Sequence, residues 1–143
     1  MIKQRILRGR LPKGTIQEVI VDDGNFRDGW TVEEFVVVGA DTSQGFSVTG
    51  TLSLTADGAS EDWDFNNPKQ IGWSGSAGDS TQIRAHDFGN YLIDERHIVL
   101  RSLFIRVDNA GTTGNTEVNY YIKLKARSVS PQESVVAILN EVK

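Results

Sequence analysis

Three aromatic residues, Trp63, Phe65 and Trp73, fall within eleven positions of a stretch otherwise rich in Gly, Ser, Asp and Asn. Four acids, Asp57, Glu61, Asp62 and Asp64, sit among them. Large rings in a polar loop have three uses. They cover the edge of a core, they anchor a protein contact, where Trp is enriched, or they form a platform for a sugar ring. Asp62-Trp63-Asp64 offers two carboxylates to calcium, but the ligand spacing and the glycine of an EF-hand loop are missing, so the acids read as solvated. A glycosidase pair is defined by its separation in space. With nineteen acids in the chain, no particular pair stands out.

Other reactive chemistry is scarce. The absence of cysteine removes thiolate nucleophiles, disulfides and Cys-based zinc sites. The two histidines, His86 and His97, lie eleven residues apart with acids beside each. A metal would need both loops to converge and a third ligand, so the histidines read as structural or surface groups. No G-x-S-x-G elbow, P-loop or H-E-x-x-H occurs. The expectation is a non-enzymatic protein without cofactor or metal, whose business is binding.

Charge suggests where binding happens. Lys3, Arg5, Arg8, Arg10 and Lys13 precede the first acid, Glu18. The net charge is −4, so this +5 segment leaves −9 for the remainder. Residues 1–13 read as a basic N-terminal segment, either a solvated first strand or an arm docked on an acidic neighbour such as another copy of the chain. Nucleic acid is disfavoured, because five cations without interleaved aromatics make a thin footprint. No apolar h-region follows the first charges, and no apolar run reaches the length of a membrane span. No membrane partner is expected.

The elements that must position these residues are strands. Phe46, Val48, Leu52 and Leu54 fall on one face and Ser47, Thr49, Thr51, Ser53 and Thr55 on the other, the period-2 sorting of a half-buried strand. Val118 to Ala126 repeats the pattern. Phe35 to Val38 and Ile98 to Val107 are apolar on both faces and read as central strands or as strands at an oligomer contact. Weaker strands are expected at Ile2 to Arg8, Thr15 to Val21, Lys69 to Trp73 and Thr81 to His86. Asp23-Gly24, Asp57-Gly58 and Asn109 to Asn115 supply turns, the last as a hairpin. Ala56 to Ser80 reads as a long excursion. Ser130-Pro131-Gln132-Glu133 is a capping box with proline at the first helical position. Val135, Ile138, Leu139 and Val142 then line one face of a short helix over 131–142 that must dock on the sandwich or on a neighbour.

The fold expectation is therefore all-β, with residues 1–143 forming a single β-sandwich domain. The sandwich should be a jelly roll of about eight strands with a short C-terminal α-helix. Ser102 to Gly111, Val118 to Leu124 and the terminal helix resemble small virion-associated proteins of tailed bacteriophages. Phe35 to Asp41, leading into an alternating strand, does too. The resemblance covers most of the chain but leaves out Ala56 to Ser80, and it carries no site motif. It implies a jelly-roll capsid decoration, cement or minor capsid subunit. Such a subunit would assemble in the host cytoplasm into the virion as a homo-oligomer and bind the major capsid or another virion protein. The alternative is a carbohydrate-binding or receptor-binding sandwich module. The residues expected to carry partner binding are Lys3, Arg5, Arg8, Arg10, Trp63, Phe65, Trp73, Val135 and Leu139.

Overall fold

Strands that alternate apolar and polar residues must pair into sheets and cover the apolar face of each. The computed structural model of the chain describes residues 3–22, 28–40, 46–78, 91–109 and 116–128, with 132, 136 and 139. In order along the chain, the strands are β1 (Gln4–Pro12), β2 (Thr15–Ile20), β3 (Asp28–Gly39), β4 (Phe46–Ser53), β5 (Gln70–Gly78), β6 (Tyr91–Ile93), β7 (Ser102–Asn109) and β8 (Glu117–Ser128). They form a three-stranded sheet, β1-β8-β3, and a five-stranded sheet, β2-β7-β4-β5-β6. Every pairing is antiparallel.

One core lies between the two sheets. Trp30, Val32, Phe35 and Val37 of β3, with Val118, Ile122 and Leu124 of β8, join Val48 and Leu52 of β4 and Leu103, Ile105 and Val107 of β7. Gly50 marks the closest approach. A Cβ there would stand 2.7 Å from Val37 Cγ1 and 2.8 Å from Phe35 Cζ, so glycine lets the facing β3 side chains reach the β4 backbone. Gly14, at φ 76°, turns the chain tightly from β1 into β2. The Thr15 hydroxyl closes this turn by donating to the Pro12 carbonyl at 2.6 Å.

Two bulges decide which residues face inward. Between Val32 and Glu34 the β3–β8 register slips by one. Trp30, Val32, Phe35 and Val37 consequently all point into the core, although the spacing changes from two to three at Glu33. The β4–β5 register slips at Ile71, because Leu52 pairs with Gly72 while Ser53 pairs with Gln70. Residues three apart on a regular strand face opposite sides. Across this slip, Gln70 and Trp73 share the outer face while Ile71 joins the core.

Several expectations need correction. Asn109 to Asn115 does not close a hairpin. β7 pairs with β2 and β4, whereas β8 pairs with β1 and β3, so the connection passes between sheets. Alternation identifies a strand but not its partner. β3 lies at the end of its sheet; β8 is the central strand there. The three-residue strand β6 is too short to show a period. The basic segment forms no free arm from Gln4 onward. It is β1, paired with β8 along its whole length, with Leu11 in the core and Leu7 against it. Thr81 to His86 lies outside the described residues, as does most of the predicted helix 131–142. Of that helix, Gln132, Val136 and Leu139 are described and all are exposed. Leu139 is 52% exposed, so it is not buried on this subunit's own sandwich, one of the two docking surfaces expected for the helix. Val135 lies outside the described residues.

Candidate functional site

The excursion between β4 and β5 folds back over the outer face of the five-stranded sheet. Its neck is closed by the Leu54 amide donating to the Lys69 carbonyl at 2.9 Å. Short polar side chains set its turns. Asp64 accepts from the Asn66 amide and Asn67 from the Lys69 amide, both at 3.0 Å, an Asx geometry that suits Asp and Asn. Beneath it, buried Thr51 donates to the Ser60 carbonyl at 3.0 Å.

Gln70 is the hub of this roof. It is buried, and both ends of its amide are fully used. Nε2 donates to the carbonyls of Gly58 at 3.1 Å and Asp62 at 3.2 Å. Oε1 accepts from the Asp64 amide at 2.9 Å and from Trp73 Nε1 at 2.8 Å. The bonds to Asp62 and Asp64 fall on the two backbone neighbours of Trp63. A single buried side chain therefore fixes the peptide on both sides of an indole that is itself 42% exposed. No local pattern marked Gln70 as important. Its role depends on the bulge at Ile71 and on a loop folded above it.

The three predicted aromatics do come together. Phe65 meets Trp73 edge-on, with centroids 4.9 Å apart and planes at 87°. Phe65 is 66% exposed, whereas Trp73 is nearly buried. Trp63 lies over Gly75, where an added Cβ would stand 3.7 Å from the indole. Between Trp63 and Leu92 of β6 runs an open groove of about 550 Å³, with Ser47, Thr49, Gly75 and Ala77 also lining it. Leu92 pairs with Trp73 and is more than half exposed; the sequence reading missed it with the rest of β6. Glu61 lies 3.9 Å from Arg106, which chiefly serves Asp108 at 3.1 Å.

Three of the basic residues, Lys3, Arg5 and Arg10, are engaged within the fold. Arg5 Nη1 donates to the Val21 carbonyl at 2.6 Å and the Asp22 carbonyl at 3.3 Å. Arg10 donates to Asn119 at 3.0 Å and lies 3.7 Å from Glu117. The Lys3 ammonium stands 5.6 Å from the Trp30 ring centroid. Arg8 is exposed on the outer face of β1, opposite Tyr121. His97 lies 3.3 Å from Asp94, while His86 is outside the described residues. Among the described residues, no cluster of acids and histidines could hold a metal ion, and no helix is long and apolar enough to cross a membrane.

The β1–β2 side presents a different surface. β1 and β2 are edges of their respective sheets and are joined by the Gly14 turn. Ile6 on β1, and Ile16 and Ile20 on β2, are each between 42% and 54% exposed. No family model matches the chain, and no curated protein or solved structure is significantly similar to it.

Proposed function

We propose that this protein is a non-enzymatic jelly-roll subunit of a virion, assembling with copies of itself and with a larger shell protein. Strand pairing supports the jelly roll. The first strand pairs with the last, the second with the seventh and the fourth with the fifth. The third meets the segment just after the sixth through the Trp30–Val99 bridge. These pairings are those expected of an eight-strand antiparallel ribbon bent back at the β4–β5 excursion and rolled into two sheets, with the departure that β6 itself pairs with β5.

The observation that carries assembly is the pair of adjacent edges exposing Ile6, Ile16 and Ile20. An exposed edge strand is a template for pairing with another chain, and soluble proteins usually guard it with charge or proline. β1 carries Arg8, Arg10 and Pro12; β2 carries no basic residue and no proline, and Glu18 is its single charge. A second copy placed against β2 covers the isoleucines and completes the backbone ladder. Sedimentation of the purified chain is the test. A salt-resistant oligomer is expected, and Ile16→Glu with Ile20→Glu should reduce it to monomers with little change in thermal midpoint. A wild-type chain that stays monomeric at high concentration removes the reading. In purified particles, the protein should be recovered in a fixed ratio to the shell subunit.

A further inference from the structure

The groove between Trp63 and Leu92 combines features that a protein edge does not need. Its walls are aromatic and aliphatic, its floor is small and carries hydroxyls, and it is preformed. We propose that it binds one pyranose ring of a neutral saccharide. The proposal is independent of self-assembly, because the groove lies on β4, β5 and β6 while the exposed isoleucines lie on β1 and β2.

The lining selects the ligand class. No described lining residue is charged, and Asp62 and Asp64 flank Trp63 in the roof. An anionic ligand such as a nucleotide would meet repulsion and find no cation among the described lining residues. A purely apolar side chain would fill the space but would dry the Ser47 and Thr49 hydroxyls without replacing their hydrogen bonds, which costs free energy. A pyranose matches both demands. Its C–H face lies against an aromatic or aliphatic wall, and its hydroxyls reach polar groups at the rim. The volume of about 550 Å³ is that of an ordinary small-molecule pocket.

Preorganisation is the second support. A mobile surface tryptophan loses rotamer and loop freedom when it binds a ligand, and that loss subtracts from affinity. Here Gln70 holds the Asp62 carbonyl and the Asp64 amide on either side of Trp63. The same amide orients Trp73, against which Phe65 packs. Much of the ordering cost is met on folding. A buried four-bond hub that displays a half-exposed indole is what a weak, face-stacking ligand requires.

Glycan-array screening of the full chain, followed by calorimetric titration with the neutral oligosaccharides that score, tests the proposal. Trp63→Ala removes a wall. Gly75→Val fills the floor: an added Cβ at Gly75 has 3.5 Å to the Val48 carbonyl and 3.7 Å to Trp63, and valine suits a strand. Leu92→Asp, at an exposed position, serves as a third variant that leaves the core intact. Thermal midpoint and native mass are recorded for each. The expected result is dissociation constants of about 10 µM to 1 mM for at least one neutral glycan, weakened at least roughly tenfold in the folded variants. The proposal is overturned if no neutral glycan binds at about 10 mM, if only charged glycans bind, or if binding survives Trp63→Ala and Leu92→Asp. Ile16→Glu should retain glycan binding even as a monomer, so the two proposals fail separately.

Discussion

The outer faces of the two sheets solve the same problem in opposite ways. On the three-stranded sheet, polar side chains meet one another in partial contact with water. Lys123 stands 3.9 Å from Glu33, and Arg10 stands 3.7 Å from Glu117, with all four side chains more than a quarter exposed. On the five-stranded sheet, Thr51, Ser53 and Gln70 are buried under the excursion. Water can replace a partner on the first face, so its geometry is loosely specified. Beneath the roof, every donor and acceptor needs a protein partner. The second face therefore fixes a loop shape that the first could not, and the exposed aromatics belong to it.

The sharpest way to break this contrast is Gln70→Ala. It leaves two carbonyls, one amide and the Trp73 indole without the hub, and should destabilise the protein by about 3 kcal/mol. Urea denaturation measures the loss, and Trp63 emission in the folded variant should shift to the red as the roof loosens. An effect below about 0.5 kcal/mol would mean that water takes over the four bonds and that the roof is no more specified than the other face. Arg5→Met comes next. It keeps the stem on the sandwich and removes the donor to Val21 and Asp22, at an expected cost of about 1.5 kcal/mol. The deletion of residues up to Arg10 should unfold the chain, because it removes most of β1, including Leu7. A truncated chain that stays folded would restore a free arm.

What could be read from the sequence follows the same division. β4 and β8 were visible because each alternates without interruption, and the aromatic cluster was visible because its members are near in sequence. Trp30 and Val32 were hidden from Phe35 and Val37 by the single residue inserted at Glu33, which changes the apparent period of one inward face. Gln70 was hidden for a related reason. Its partners are loop backbone and an indole brought to its side by the slip at Ile71, and no side-chain pattern encodes backbone partners. The docked-arm reading of the basic segment fails, and its strand reading could not name partners, because the groups that engage it come from distant strands: Asn119 and Glu117 for Arg10, and Trp30 for Lys3. Charge density along the chain says nothing about which acid or carbonyl will face it across a sheet.

Asp94 lies between the two regimes. Its carboxylate is held well below the usual range, chiefly by the Arg96 guanidinium, whose Nε and Nη2 donate at 2.8 Å each, with the Arg96 amide and His97 nearby. A depressed carboxyl contributes stability that is fully present above its unfolded value, 3.8, and is lost as pH falls towards the folded one. Urea midpoints should therefore decline below about pH 4 more steeply for the wild type than for Asp94→Asn. Because the Arg96 side chain is largely exposed, salt should reduce the difference. Identical acid profiles for the two proteins would show that the pair adds nothing to stability.

The smallest effect expected is at Lys123 and Glu33, where the contrast can be measured as a coupling. Their side chains are 28% and 32% exposed and the closest atoms are 3.9 Å apart. At that distance and exposure, Coulomb attraction is offset by the ordering of two long side chains, and exposed pairs commonly contribute about 0.2–1 kcal/mol. Glu33 is also the extra residue at the β3 bulge, which holds its backbone off the regular ladder and gives its carboxylate freedom to leave the ammonium. A double-mutant cycle with Lys123→Ala and Glu33→Ala should therefore give a coupling below about 0.5 kcal/mol, falling further at high salt. A coupling above about 1.5 kcal/mol would put this face in the buried regime and make the contrast with the Gln70 hub one of degree. A near-zero value, set beside a loss of about 3 kcal/mol for Gln70→Ala, would place the specification of polar geometry beneath the roof.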